Sequence, residues 1–168
     1  EIASEVGADI LRKGGNAVDA AVATALALAV VLPRAGNLGG GGFMLVYLSK
    51  EKKTVAIDYR EMAPSAAHRD LFLDKKGNYD RKKAVFSLLS AGVPGTVAGL
   101  AYALEKYGTL SWQEVIEPAL RLAEDGFEVT HDLAKILSDY KGRLSSNEAF
   151  AKAYYKANNN SYKAGEII

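Results

Sequence analysis

Four consecutive glycines, Gly39 to Gly42, stand directly before a continuous apolar run, Phe43-Met44-Leu45-Val46-Tyr47. No other feature of the chain restricts its fold as much. Glycine lacks a Cβ, so this passage is free to adopt positive φ or to let another backbone approach closely, and its N–H groups stay accessible. The run that follows has the length and composition of a strand covered on both faces. Ser49 to Lys53 is polar and fits a hairpin loop, and Thr54 to Tyr59, rich in β-branched residues, reads as the return strand.

The order helix, glycines, strand excludes the usual nucleotide sites. Dinucleotide and P-loop motifs follow a strand and open a helix, and the P-loop adds a Lys-Ser/Thr pair that is missing here. Two uses of the glycines stay open: a tight passage deep in the fold, or a wall facing a ligand, with Gly41 and Gly42 as its contacts. Arg60 is the leading candidate for a binding residue. It follows the second strand, where a rigid sheet holds the side chain at a rim, and its planar fork can take a carboxylate through two parallel hydrogen bonds. An internal ion pair with Asp58 or Glu61 is the competing use, and Glu61 is a secondary contact in either case.

The flanking segments read as helical support. Ile2, Val6 and Ile10 share one helical face, and Gly14-Gly15 ends that helix. Asn16 is suited to cap the next one, with Asp19 in its first turn. From Ala17 to Leu32 the chain is almost wholly apolar but shorter than the about 20 residues a membrane span needs, so it is predicted to be a buried helix ended by Pro33. Pro94 is predicted to open a helix carrying Val97, Leu100, Ala101 and Leu104 and ending at Gly108. The start of that helix either binds an anion or merely initiates against the sheet. Ser111 and Glu114 form a capping box, Pro118 kinks or restarts the helix, and Gly126 stops it. Thr130 caps a helix with Leu133, Ile136 and Leu137 that closes near Gly142, and Ser145 or Ser146 opens a last one. Trp112 is read as packing against neighbouring helices.

Composition removes several classes of function. A net charge of +1 with mixed signs argues against a nucleic-acid or anionic-membrane surface. Without cysteine there is no disulfide, thiolate metal site or cysteine nucleophile. His68 and His131 lie far apart and read as surface residues. Asp74, Asn78 and Asp80 outline a calcium-like loop, but Lys76, Tyr79 and Val85 stand where an oxygen ligand, a glycine and the closing glutamate belong. No metal and no cofactor is called for.

Gly-Asn-Leu-Gly-Gly-Gly-Gly-Phe-Met at Gly36 to Met44, Asp-Tyr-Arg-Glu-Met-Ala-Pro at Asp58 to Pro64, Gly-Val-Pro-Gly-Thr-Val-Ala-Gly at Gly92 to Gly99 and Gly-Gly-Asn-Ala-Val-Asp-Ala-Ala at Gly14 to Ala21 together resemble the γ-glutamyltranspeptidase (glutathione hydrolase) family. The likeness weakens after about Lys141. It implies an α/β fold of the N-terminal-nucleophile hydrolase type, an αββα sandwich, of which residues 1–168 are a single incomplete domain from the N-terminal part of the large subunit. An export signal and a first strand precede this region in the family, which implies a periplasmic or extracellular protein.

The resemblance further implies a precursor that cuts itself into two subunits, the new N-terminal threonine of the small subunit being the nucleophile. Thr24, Thr54, Thr96, Thr109 and Thr130 all sit in other contexts, so that threonine belongs to the small-subunit partner. Arg60 corresponds to the family's arginine that holds the α-carboxylate of the γ-glutamyl group. The implied reaction transfers the γ-glutamyl group of glutathione or a related amide to water or an amino acid through a γ-glutamyl-threonine ester. Relatives that depolymerise poly-γ-glutamate or deacylate glutaryl-cephalosporins, and a non-catalytic homologue that keeps only the pocket, are the alternatives. A sheet this apolar needs further cover, so the isolated chain is expected to expose apolar surface.

Overall fold

A computed structural model describes residues 1–168. Helix α1, Ile2–Arg12, turns Ala3, Gly7 and Ile10 inward, and the chain leaves it through Gly14 at φ +93°. Helix α2, Ala17–Val31, starts in a full capping box: Asn16 Oδ1 accepts from the N–H groups of Val18 and Asp19, and Asp19 accepts from the N–H of Asn16. The sequence reading of both residues holds. Helix α2 is the spine of the molecule, and its small side chains let neighbours close in. A Cβ at Gly7 would collide with Thr24 Oγ1, which shows how near α1 lies. Val22, Ala23, Leu26 and Ala27 are buried. No helix is long and apolar enough to cross a membrane.

Strands β1, Phe43–Leu48, and β2, Lys53–Asp58, form an antiparallel hairpin running from Phe43 opposite Asp58 to Leu48 opposite Lys53. Because side chains alternate across a strand, Met44, Val46 and Leu48 face the helices with Val55 and Ile57, while Phe43, Leu45 and Tyr47 face away. Those three are 65, 74 and 64% exposed. The expected cover on both faces is therefore present on one only: residues 1–168 supply a single helical layer under a two-stranded sheet. The bare apolar face is the exposed surface anticipated from the composition of β1.

Helix α3, Arg81–Phe86, and a 3-10 turn at Leu88–Ser90 lead to α4, Thr96–Tyr107, and α5, Trp112–Glu124. Leu100, Ala103 and Leu104 of α4 and Val115 and Ala119 of α5 complete the main core, with Trp112 packed at its edge. The Ser111–Glu114 capping box forms as expected, and Gly126 follows at φ +85°. Pro118 lies within one continuous helix rather than restarting it. Pro94 lies before the N-cap, Gly95, and not in the first turn.

Thr130 caps α6, His131–Asp139, and Leu133 and Leu137 join Phe127, Val129 and Tyr155 in a second, smaller core. Two boundaries differ from the sequence reading. Gly142 lies inside a short helix α7, Lys141–Leu144, and the last helix α8, Glu148–Tyr154, is capped by Asn147 rather than by Ser145 or Ser146. The chain's end then returns: Phe127 and Ile168 exchange two backbone hydrogen bonds of 3.1 Å. Nothing local announces that pairing, since it joins segments about 40 residues apart along the chain.

Candidate functional site

The glycine run, the end of β2 and the start of α4 meet in one place. The carbonyl of Gly40 accepts from the N–H groups of Gly95 at 2.7 Å and Thr96 at 3.0 Å. Asn37 Oδ1 accepts from the Gly40 N–H and from Thr96 Oγ1, both at 2.8 Å. The N–H groups of the N-cap Gly95 and of Thr96 are thus taken by the protein's own backbone, and the helix initiates against the glycine loop; the N–H groups of Val97 and Ala98 have no acceptor within the chain.

None of Gly39 to Gly42 has positive φ. Their use is close approach, as a Cβ at Gly41 would collide with the Tyr59 carbonyl oxygen and lie 2.7 Å from the Glu61 nitrogen, and one at Gly42 would lie 3.0 Å from the Tyr59 ring. Gly42 and Tyr59 also exchange backbone hydrogen bonds of 3.3 and 3.0 Å, which extends the hairpin ladder by one pair. On its other side Tyr59 packs on α4, where a Cβ at Gly95 or Gly99 would collide with it. Met62 and Val93 then pair in antiparallel fashion, at 3.3 and 2.8 Å. Both ends of the Arg60-Glu61 dipeptide are consequently pinned by backbone.

Arg60 projects at this rim. Its own N–H donates to Asp58 Oδ1 at 3.0 Å, which sets the turn out of β2, and its Nε donates to Glu61 Oε2 at 3.1 Å. The guanidinium carbon lies 5.8 Å from the centroid of the Phe43 ring. Neither terminal nitrogen has a partner in the chain, and the side chain is 62% exposed. The ion pair with Glu61 weighed from sequence exists, yet it engages Nε alone and leaves the two-pronged edge free. The chain's main clefts lie elsewhere and do not include Arg60.

Glu61 is shaped by the same loop. Its own N–H, and then the Arg60 guanidinium and the Gly41 N–H, hold its carboxyl below the usual carboxylate range and outweigh the opposing effect of desolvation. It is ionised at neutral pH and matches the charge of Arg60. His68 and His131 are exposed, and no group of three or more His, Asp or Glu side chains is gathered to hold a metal.

Sequence reasoning missed two supporting residues. Asn37, the residue that ties the glycine loop to α4, could have been flagged as an amide beside a turn. The sequence alone marks Asp19 only as a first-turn carboxylate. It is 0% exposed, and besides the Asn16 N–H it accepts from the Thr109 N–H at 2.9 Å, Thr109 Oγ1 at 2.6 Å and the Leu110 N–H at 3.2 Å. No local signal links it to Thr109, ninety residues on.

The family model described as gamma-glutamyltranspeptidase matches residues 3–168. The chain is 52% identical over 166 residues to the glutathione hydrolase proenzyme of Escherichia coli K12, covering 99% of this chain and 28% of that protein. Among solved structures, the gamma-glutamyltranspeptidase of Helicobacter pylori superposes with a TM-score of 0.94 at 44% identity, over 99% of this chain and 48% of that one. The transpeptidase CapD of Bacillus anthracis is more distant, with a TM-score of 0.76 at 34% identity over 99% of this chain and 50% of that one. The chain thus spans between about a quarter and a half of the length of these relatives.

Proposed function

The chain belongs to the gamma-glutamyltranspeptidase family, and from that membership we propose that it is the N-terminal part of the large subunit of an enzyme that cleaves γ-glutamyl amides. The donor is glutathione or a related compound. The acyl group passes to a threonine nucleophile carried by a small-subunit partner, then to water or an amino acid, and residues 1–168 contribute a substrate-binding wall and one helical layer of an αββα sandwich. Export to the periplasm or cell exterior accompanies this reading.

The observation that carries the proposal is the position of Arg60 within the family's own motif: a guanidinium held at the sheet's rim, with its two-pronged edge unpaired. That edge has the geometry to take the donor's α-carboxylate through two parallel charge-assisted bonds. Glu61 and the Gly41-Gly42 backbone stand beside it as secondary contacts. The bare outer face of β1 and β2 is where further layers would close the hollow. The 52% identity to the glutathione hydrolase proenzyme of Escherichia coli K12 favours a glutathione-type donor.

The test uses the full-length protein. Arg60→Lys keeps the charge and loses the fork, so it raises KM for a γ-glutamyl anilide about tenfold or more, equivalent to about 1.4 kcal/mol, with kcat changed much less. An unchanged KM removes Arg60 from the site, and a full-length protein with no activity on γ-glutamyl donors removes the enzymatic reading.

A further inference from the structure

We propose that Phe43 is a positioning residue for Arg60, its ring serving as the platform on which the guanidinium lies. The inference rests on the reading of Arg60 as the carboxylate-binding residue and adds to it how the fork is aimed. Phe43 is the first residue of β1 and sits opposite Asp58 in the hairpin register. Asp58 in turn fixes the backbone of Arg60 through the 3.0 Å bond to its N–H. The ladder therefore delivers ring and guanidinium to the same end of the same sheet face, 5.8 Å apart.

An exposed arginine visits many rotamers, and each binding event must freeze them. Two contacts reduce that freedom here. The bond from Nε to Glu61 at 3.1 Å commits one edge of the guanidinium, and the guanidinium carbon lies over the Phe43 ring, 5.8 Å from its centroid, within reach of the attraction between a cation and the ring's negative face. What remains is the edge formed by the two terminal nitrogens, which is the one a carboxylate engages in a bidentate pair. Phe43 differs in this from its neighbours on the outer face. Leu45 and Tyr47 are as exposed, but they lie further along β1, and no cation sits over the Tyr47 ring. General apolar cover of the outer face would be served by all three alike, whereas the contact with Arg60 belongs to Phe43 alone.

The experiment compares Phe43→Leu, Phe43→Tyr and Tyr47→Leu in the full-length protein, with a γ-glutamyl anilide and with the matching 4-aminobutanoyl anilide, which lacks the α-carboxylate. Phe43→Leu is expected to raise KM for the first donor three- to tenfold with kcat within about twofold, and to leave kcat/KM for the second unchanged. Phe43→Tyr, which keeps the ring, restores KM to within about twofold of the parent, and Tyr47→Leu does not alter the ratio between donors. Should Phe43→Leu not fold, Phe43→Met carries the same expectation. An unchanged KM in the aliphatic variants, an equal loss for both donors, or a Tyr variant as impaired as the Leu one overturns the proposal. Arg60→Lys measured alongside separates the two readings: if it raises KM while Phe43→Leu does not, only the role of Phe43 falls, and if it too leaves KM unchanged, the carboxylate reading falls first.

Discussion

Asp19→Ala lowers the stability of the protein by about 3 kcal/mol or more, the order expected when several buried donors lose a charged acceptor. The carboxylate is fully buried, has no cation beside it, and is satisfied entirely by the Thr109 hydroxyl and the N–H groups of Asn16, Thr109 and Leu110. It binds the start of α2 to the loop between α4 and α5, and the Asn16 side chain reinforces the joint by donating to the Tyr107 carbonyl at 2.7 Å. Gly108 makes room, since a Cβ there would lie 2.6 Å from Asp19 Oδ1. Removing the carboxylate strands these donors, whereas Asp19→Asn keeps the shape and one acceptor and so costs less. Urea unfolding of the full-length variants measures both, and a loss under about 0.5 kcal/mol for Asp19→Ala contradicts the account, being the range of ordinary surface changes.

The same residue makes stability depend on pH. Burial by itself pushes the Asp19 carboxyl up, but the Thr109 hydroxyl and the three backbone N–H groups outweigh it and hold the group below its ordinary range. A folded-state value below the unfolded one means that the contribution is complete above the unfolded pKa of about 3.9 and is lost as pH falls from there through the folded value. The parent therefore weakens in acid below about pH 4 more steeply than Asp19→Asn does.

Gly95→Ala produces the second large effect, a destabilisation of about 3 kcal/mol, at the upper end for an added methyl. The new Cβ would collide with the Tyr59 carbonyl oxygen and lie 2.8 Å from its carbonyl carbon and 3.2 Å from the Arg60 carbonyl oxygen. All three are backbone atoms, and the Tyr59 carbonyl accepts from the Gly42 N–H in the hairpin ladder, so relief needs the backbone itself to shift. Any protein that still folds carries a displaced Tyr59-Arg60 segment and a raised KM for γ-glutamyl donors. At Gly99 the obstacles are Cγ and Cβ of Tyr59; the Cβ moves only with the backbone, so rotation of the ring does not relieve the clash and Gly99→Ala costs a similar amount, about 3 kcal/mol. Gly142 has nothing within 4 Å and sits in α7, where alanine is the better helix former by about 1 kcal/mol. Gly95→Ala and Gly99→Ala both less stable than the parent, and Gly142→Ala more stable, read by thermal unfolding, is the check. A Gly95→Ala protein as stable as Gly142→Ala sinks it.

Helix boundaries were legible where a local rule operates. Asn16, Ser111 and Thr130 cap the helices that follow them, and Gly14 and Gly126 leave helices with positive φ. They were misread where the competing signals were weak: Asn147 won over Ser145 and Ser146 because any of the three polar side chains could have reached a free N–H. Arg60 could be singled out from its position after a strand, and its pairing with Glu61 was foreseeable from adjacency. Its terminal nitrogens being free, and a phenylalanine from the other strand lying against its guanidinium, could not be foreseen.

By itself the sequence determined the periodic elements, the caps, the hairpin and the family motifs, because each depends on residues within a few positions of one another. Only the tertiary structure decided what those pieces do together. It turned the glycines into surfaces of contact for Tyr59 and Glu61, tied the start of α4 to the Gly40 carbonyl, buried Asp19 against Thr109, and left one face of the hairpin bare. The reason is physical: close approach, burial and hydrogen bonding between residues about 20 to 90 positions apart depend on how helices and strands pack, and packing is a property of distances in space that local order along the chain does not encode.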